Sequence, residues 1–259
     1  MIPNILTLLA LCAGMTAIRF AFLGQFEAAV GAVILAAVLD GLDGRIARLL
    51  KSTSEFGAQL DSFSDFISFG VAPAIMLYTW TMAQWRSVGW ALALLFGVCM
   101  ALRLARFNTQ LGVADPPAYA YNFFTGVPAP AAAGLVMLPL CAAFEFGDPV
   151  FRSPWLNAVS LIGIALLMIS RVPTFSFKRL RVPHHLFVPV MVGAALLAAF
   201  LTTAPWPTLV VLGLIYLGSL PFSIRSYYRM KKAAEEVRAS AGLRAIETAP
   251  GDNASTAAE

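Results

Sequence analysis

The chain has 259 residues, of which 59% are hydrophobic and only 12% charged, with a mean hydropathy of +0.77. Soluble domains carry roughly 25% charged residues, so this composition excludes an ordinary soluble globule. The net charge of +4 does not call for nucleic acid, because Lys and Arg gather between apolar runs, where they set topology and meet anionic headgroups.

Apolar runs of roughly 20 residues recur, the length that crosses a hydrocarbon core of about 30 Å at about 1.5 Å per residue. They predict an all-α, polytopic transmembrane bundle of about eight spans, at 5–23, 27–49, 57–82, 88–107, 127–146, 155–172, 184–202 and 207–224. The first span opens Pro3-Asn4-Ile5-Leu6-Thr7 with no basic region before it and no convincing cleavage site after it, so it is expected to stay as a helix. Cys12, Cys99 and Cys141 each stand alone in an apolar run, without the spacing of a zinc site or a disulfide framework. Trp85, Trp90, Trp155 and Trp206 fall near span ends and read as interface anchors. His184 and His185 open the seventh span and read as interfacial, with no acid cluster near them in sequence.

Of the 18 Lys and Arg residues, fifteen fall around 45–51, 103–106, 171–181 and after 225, and only Arg19, Arg86 and Arg152 fall on the opposite side. That bias predicts that both termini and the loop at 50–56 face the cytoplasm. The expected division is a transmembrane catalytic domain over 1–224, then a cytoplasmic tail over 225–259, first basic with a short helical extension and then disordered for want of large apolar residues. No internal repeat is convincing, which weakens a transporter built from two related halves.

Ionisable side chains inside membrane helices are costly and mark function. Four acids fall at the end of the second span and the start of the third: Asp40, Asp43, Asp61 and Asp65. Asp40 and Asp43 are i and i+3, and Asp61 and Asp65 are i and i+4, so each pair shares a helix face. The loop at 50–56 makes these helices antiparallel neighbours, and both pairs lie about 10 Å from it; all four carboxylates are expected to meet at one depth. Arg45 and Arg48 are too few to neutralise them, and divalent metal is the natural remedy. Oxygen donors with no His or Cys nearby favour Mg²⁺ or Mn²⁺, with Ca²⁺ as a non-productive occupant, and two ions would clamp a diphosphate. Gly44, Ala47 and Gly57 leave room for a ligand beside the acids, whereas Gly14, Gly31 and Gly41 read as helix-packing positions.

The pattern D-x2-D-G-x2-A-R-x8-G-x3-D-x3-D, running from Asp40 through Asp43, Gly44, Ala47, Arg48, Gly57 and Asp61 to Asp65, resembles the signature of the CDP-alcohol phosphotransferases without a departure. The resemblance implies that Asp40, Asp43, Asp61 and Asp65 bind two divalent ions and that Asp65 is also the general base. It implies a cytidine pocket lined by Asn4, Thr7, Gly44, Ala47, Arg48 and Gly57, although Asn4 equally suits a helix cap. Asp61-Ser-Phe-Ser-Asp-Phe-Ile-Ser68-Phe-Gly-Val-Ala-Pro-Ala74, Arg103-Leu-Ala-Arg106-Phe-Asn108 and Phe123-Phe-Thr-Gly-Val-Pro-Ala-Pro130 are similar to the bacterial branch of that family that uses serine. That likeness implies transfer of a phosphatidyl group from CDP-diacylglycerol to L-serine in the bacterial inner membrane, by a homodimer. Arg103 and Arg106 would then be candidates for a carboxylate or a lipid phosphate, with positive-inside anchoring as the alternative. Ser68 and Asn108 are candidates for serine contacts or for bonds to a neighbouring helix.

Within the same chemistry the rivals are other acceptors: choline, glycerol 3-phosphate or an inositol phosphate, for which Arg171 to Arg181 could supply a basic pocket. From another class, a cation transporter would also carry acids in its helices, but it would want them near mid-membrane rather than at one edge.

Overall fold

A computed structural model describes residues 2–50, 54–110, 123–147, 149–170, 172–175 and 187–247. Helices α1 (Ile2–Phe22) and α2 (Phe26–Leu49) form a tight antiparallel hairpin, joined through Gly24 at φ +73. They approach closely because the facing side chains are small. Ala10, Ala13, Ala17 and Ala21 are buried along α1 at helical spacing, against Ala29, Val30, Val33 and Ala36 of α2. In a membrane such small-residue stripes hold helices together through packing, since lipid tails are as apolar as the helices.

Ser54 caps α3 (Glu55–Asp65), its Oγ accepting the Gly57 N–H at 3.0 Å. The helix continues through a π-helical stretch, Phe66–Val71, into α4 (Ala72–Trp80). Pro73 lacks an N–H and cannot donate to the preceding turn; the widened stretch before it, with the Ala72 N–H donating to Ile67 O, absorbs the mismatch. π-Helical turns tend to occur at functional sites, and this one begins directly after Asp65. On the α1 side, Ser64 Oγ donates to Thr7 O at 3.2 Å and Ser68 Oγ to Ala10 O at 3.2 Å. Gly14 makes the crossing possible, because a Cβ there would stand 2.8 Å from Ser68 Cα.

After a short 3₁₀ turn at Met82–Trp85, α5 (Ser87–Gln110) packs along α8 (Pro154–Ile169), burying Phe96, Met100, Leu161, Ala165 and Met168. Between them, α6 (Ala129–Val136) and α7 (Leu138–Phe146) form one span interrupted at Met137. A two-stranded antiparallel ladder, β1 (Phe123–Thr125) with β2 (Pro173–Phe175), pairs Phe124 with Thr174. Helices α9 (Phe187–Thr203) and α10 (Pro205–Glu247) follow, and Ser223 Oγ of α10 donates to Pro173 O at 2.8 Å.

Among the described residues, five helices are long and apolar enough to cross a membrane: Pro3–Phe22, Glu55–Trp80, Ser87–Thr109, Ala129–Phe146 and Pro205–Met230. The 24-residue α2 has the length but also carries Asp40, Asp43, Arg45 and Arg48. The apolar α8 and α9 are 16 and 17 residues long, about 24 to 26 Å. The eight expected spans thus each have their helical segment, and the all-α reading holds; among the described residues only two three-residue strands depart from it. Helix α10 continues past Arg225 as far as Glu247, into the stretch from 239 that was expected to be disordered. The rest of the tail, the residues 51–53, and Arg171, Lys178, Arg179, Arg181, His184 and His185 lie outside the described residues.

Candidate active site

The acids come together because α2 and α3 both pack against α1. One carboxylate oxygen each from Asp40, Asp61 and Asp65 lies within 4.8 Å of the others. Asp43, the fourth acid expected there, is not in this 4.8 Å group but acts electrostatically on both Asp40 and Asp61. It is buried, and Thr7 Oγ1 donates to its Oδ2 at 2.5 Å. The same hydroxyl lies 3.1 Å from Pro3 O; its single proton goes to the shorter, charge-assisted partner. Thr7, expected at the nucleotide, is therefore placed as the residue that orients Asp43, and its own backbone carbonyl is tied to Ser64.

Asp65 Oδ1 is buried without a hydrogen-bond partner. A carboxylate oxygen in that condition, beside two further carboxylates, is destabilised unless a cation reaches it. The donor set is all oxygen and lacks His and Cys, which suits a hard divalent ion such as Mg²⁺ or Mn²⁺. Arg103 is close enough to Asp65 to interact with it electrostatically, but a single guanidinium does not balance the trio. The residues present fit divalent metal.

Around the acids, Gly44 is open: a Cβ there would have only Arg48 Nη1 near it, at 3.8 Å. Ala47 is half-buried and Arg48 exposed, leaving both approachable from outside the bundle. Gly57 is not open, since a Cβ there would stand 3.2 Å from Asn4 Oδ1 and 3.1 Å from Ser54 Oγ. Its lack of a side chain admits Asn4 and the Ser54 cap together. Gly14 is a packing position as expected, whereas a Cβ at Gly31 or Gly41 would meet nothing within 4 Å, so packing within the chain does not explain those two.

Two of the polar residues proposed for the acceptor are already occupied. Ser68 is buried and its hydroxyl bonds α1, the second of its two readings. Asn108 Nδ2 donates to Ser62 Oγ at 2.9 Å, and Ser62 donates to Ala58 O at 3.0 Å, so Asn108 fastens α5 to α3. The two arginines also differ. Arg106 Nη1 donates to Ile169 O at 2.7 Å, closing the end of α8, while Arg103 Nε donates to Val127 O at 2.7 Å and faces both Asp65 and Tyr216. Sequence reasoning missed Tyr216 and Thr174. The Thr174 hydroxyl sits beside that of Tyr216 but donates to Gly126 O at 2.9 Å. A lone tyrosine in the apolar run of the last span carries no spacing signal that would have singled it out.

Comparison with known proteins decides the lineage. The profile of CDP-alcohol phosphatidyltransferases matches residues 1–172, and that of CDP-alcohol phosphatidyltransferase 2 matches residues 185–221. The chain belongs to the CDP-alcohol phosphatidyltransferase family. The first match takes in helices α1 to α8 and every acid of the cluster; the second takes in α9 and the first part of α10. The chain is 42% identical to the CDP-diacylglycerol–serine O-phosphatidyltransferase of Mycobacterium leprae over 87% of its own length and 75% of that protein's. It is 37% identical to the protein of the same name from Helicobacter pylori, over 75% and 80% of the two lengths. To that of Methanocaldococcus jannaschii it is 34% identical, over 76% and 82%.

Proposed function

We propose that this CDP-alcohol phosphatidyltransferase moves the phosphatidyl group of CDP-diacylglycerol to the hydroxyl of L-serine, giving phosphatidylserine and CMP. The observation that carries the reading is the trio Asp40, Asp61 and Asp65, with one oxygen each within 4.8 Å of the others and Asp65 Oδ1 unpaired. The serine-using relatives support the choice of acceptor.

Asp40, Asp61 and Asp65 would hold divalent metal, Mg²⁺ or Mn²⁺, with Asp43 one turn away and oriented by Thr7. Bound there, two such ions supply charge neutralisation for the diphosphate and for the departing CMP. The open strip at Gly44 and Ala47, with Asn4 and Arg48 at its edges, is where the nucleotide would lie against α2. Asp65 accepts the proton of the serine hydroxyl as its oxygen bonds to the lipid-side phosphorus; the bond from that phosphorus to the CMP oxygen breaks, and CMP leaves with the electron pair. Placement within hydrogen-bond reach matters more than basicity here, because the hydroxyl proton becomes acidic only as the new bond forms. The bias of basic residues to one end of the spans supports a cytoplasmic site, and the family resemblance supports a bacterial inner membrane and a homodimer.

Purified protein with Mn²⁺ or Mg²⁺ should convert CDP-diacylglycerol and labelled serine into labelled phosphatidylserine and CMP, and chelation should stop it reversibly. Turnover with choline or glycerol 3-phosphate but not serine would overturn the acceptor while leaving the metal site; activity indifferent to chelators would overturn the mechanism.

A further inference from the structure

Two buried polar atoms without a hydrogen-bond partner flank a single guanidinium. One is Asp65 Oδ1; the other is Tyr216 Oη, carried in by α10 from the far end of the chain. Arg103 of α5 interacts electrostatically with both side chains. An unpaired buried hydroxyl is costly, and native structures keep few of them; one that borders a binding site is accounted for when a ligand completes it.

The group beside the Tyr216 hydroxyl is that of Thr174, whose own proton goes to Gly126 O. The ring lines a cavity of about 210 Å³ with the apolar side chains of Val30, Ile34, Leu135 and Leu209. A phenol hydroxyl in such low-polarity surroundings makes a strong hydrogen bond to an anion. Among the described residues, Arg103 is anchored through Nε alone, whereas Arg106 spends a terminal nitrogen on Ile169 O. Arg103 therefore keeps its terminal nitrogens for another partner, within electrostatic reach of both Tyr216 and Asp65.

We propose that Tyr216 and Arg103 together bind the carboxylate of the amino-acid acceptor. This rests on the reading of serine as acceptor. In serine two carbon atoms separate the hydroxyl oxygen from the carboxylate carbon, so an acceptor whose hydroxyl reaches Asp65 brings its carboxylate beside the neighbouring Arg103. Tyr216 then distinguishes an alcohol that carries a carboxylate from one that does not. The same donors suit a lipid phosphate, and the kinetics separate the two sources.

The test uses the full-length protein with Mn²⁺, CDP-diacylglycerol and either L-serine or L-serinamide, which keeps the hydroxyl but lacks the carboxylate charge. Wild-type protein should show a KM at least tenfold higher for serinamide than for serine. Tyr216→Phe, which removes one unpaired oxygen and keeps the ring, should raise the serine KM about tenfold, leave the KM for CDP-diacylglycerol within twofold, and leave the serinamide KM unchanged. A rise in the CDP-diacylglycerol KM alone would assign Tyr216 to the donor phosphate and overturn the proposal, as would unchanged constants or a fall in kcat alone. Equal use of serine and serinamide by the wild type would overturn it without any variant. Wild-type protein that makes no phosphatidylserine but uses another alcohol would remove the acceptor reading itself, and this proposal with it.

Discussion

The corner formed by α1, α2 and α3 and the hairpin of α9 and α10 use the same apolar residues but are held in different ways. In the corner, an alanine stripe brings the backbones close, and Thr7, Ser64 and Ser68 each bond across to another helix. Helix α9 buries none of its side chains and packs mainly against α10. Hydrophobicity places both in the membrane, but only close packing and interhelical hydrogen bonds hold a helix in one position there. The acids sit in the corner, where they have to be placed to a fraction of an ångström for metal to bridge them.

The largest effect should come from the base. Asp65→Asn is expected to lower kcat by about 10²–10⁴-fold while the purified protein keeps its thermal unfolding midpoint; retention of more than a tenth of the activity would detach the chemistry from this corner. Next comes a contrast in packing. Met100, fully buried between α5 and its neighbours, should cost about 2 kcal/mol or more as Met100→Ala, whereas Met191→Ala on exposed α9 should stay within about 0.5 kcal/mol. Equal costs, read by unfolding in the same detergent, would mean that α9 is held as tightly as the core. The subtlest test concerns orientation. Thr7→Val removes the donor to Asp43 without changing shape, and loss of such an outer partner weakens metal sites by roughly 10- to 100-fold. The Mn²⁺ concentration for half-maximal activity should rise accordingly, with the low end of that range expected because Asp43 stands outside the trio. No change would make the Thr7–Asp43 bond a packing contact only.

Much of the fold was legible because its signals are local. The eight spans follow from run length, and the acid pairs from spacings of three and four on adjacent helices. The tight site at Asp40, Asp61 and Asp65 followed from those spacings. What nothing local reveals is that Thr7 donates to Asp43, the fourth acid expected there. For Ser68 and Asn108 the sequence left two readings, a serine contact or a bond to a neighbouring helix, and their polar groups bond α1 and α3.

The chain by itself determined what depends on near neighbours: a membrane-spanning helical bundle, the side on which its basic residues collect, and a cluster of carboxylates on facing helices that calls for divalent metal. Tertiary structure alone decided which polar groups remain free. That question turns on contacts between distant segments, Thr7 with Asp43, Arg103 with Val127, and Tyr216 with Arg103. A donor's availability depends on whether a carbonyl from another helix has already taken its proton, and helix periodicity carries no information about that.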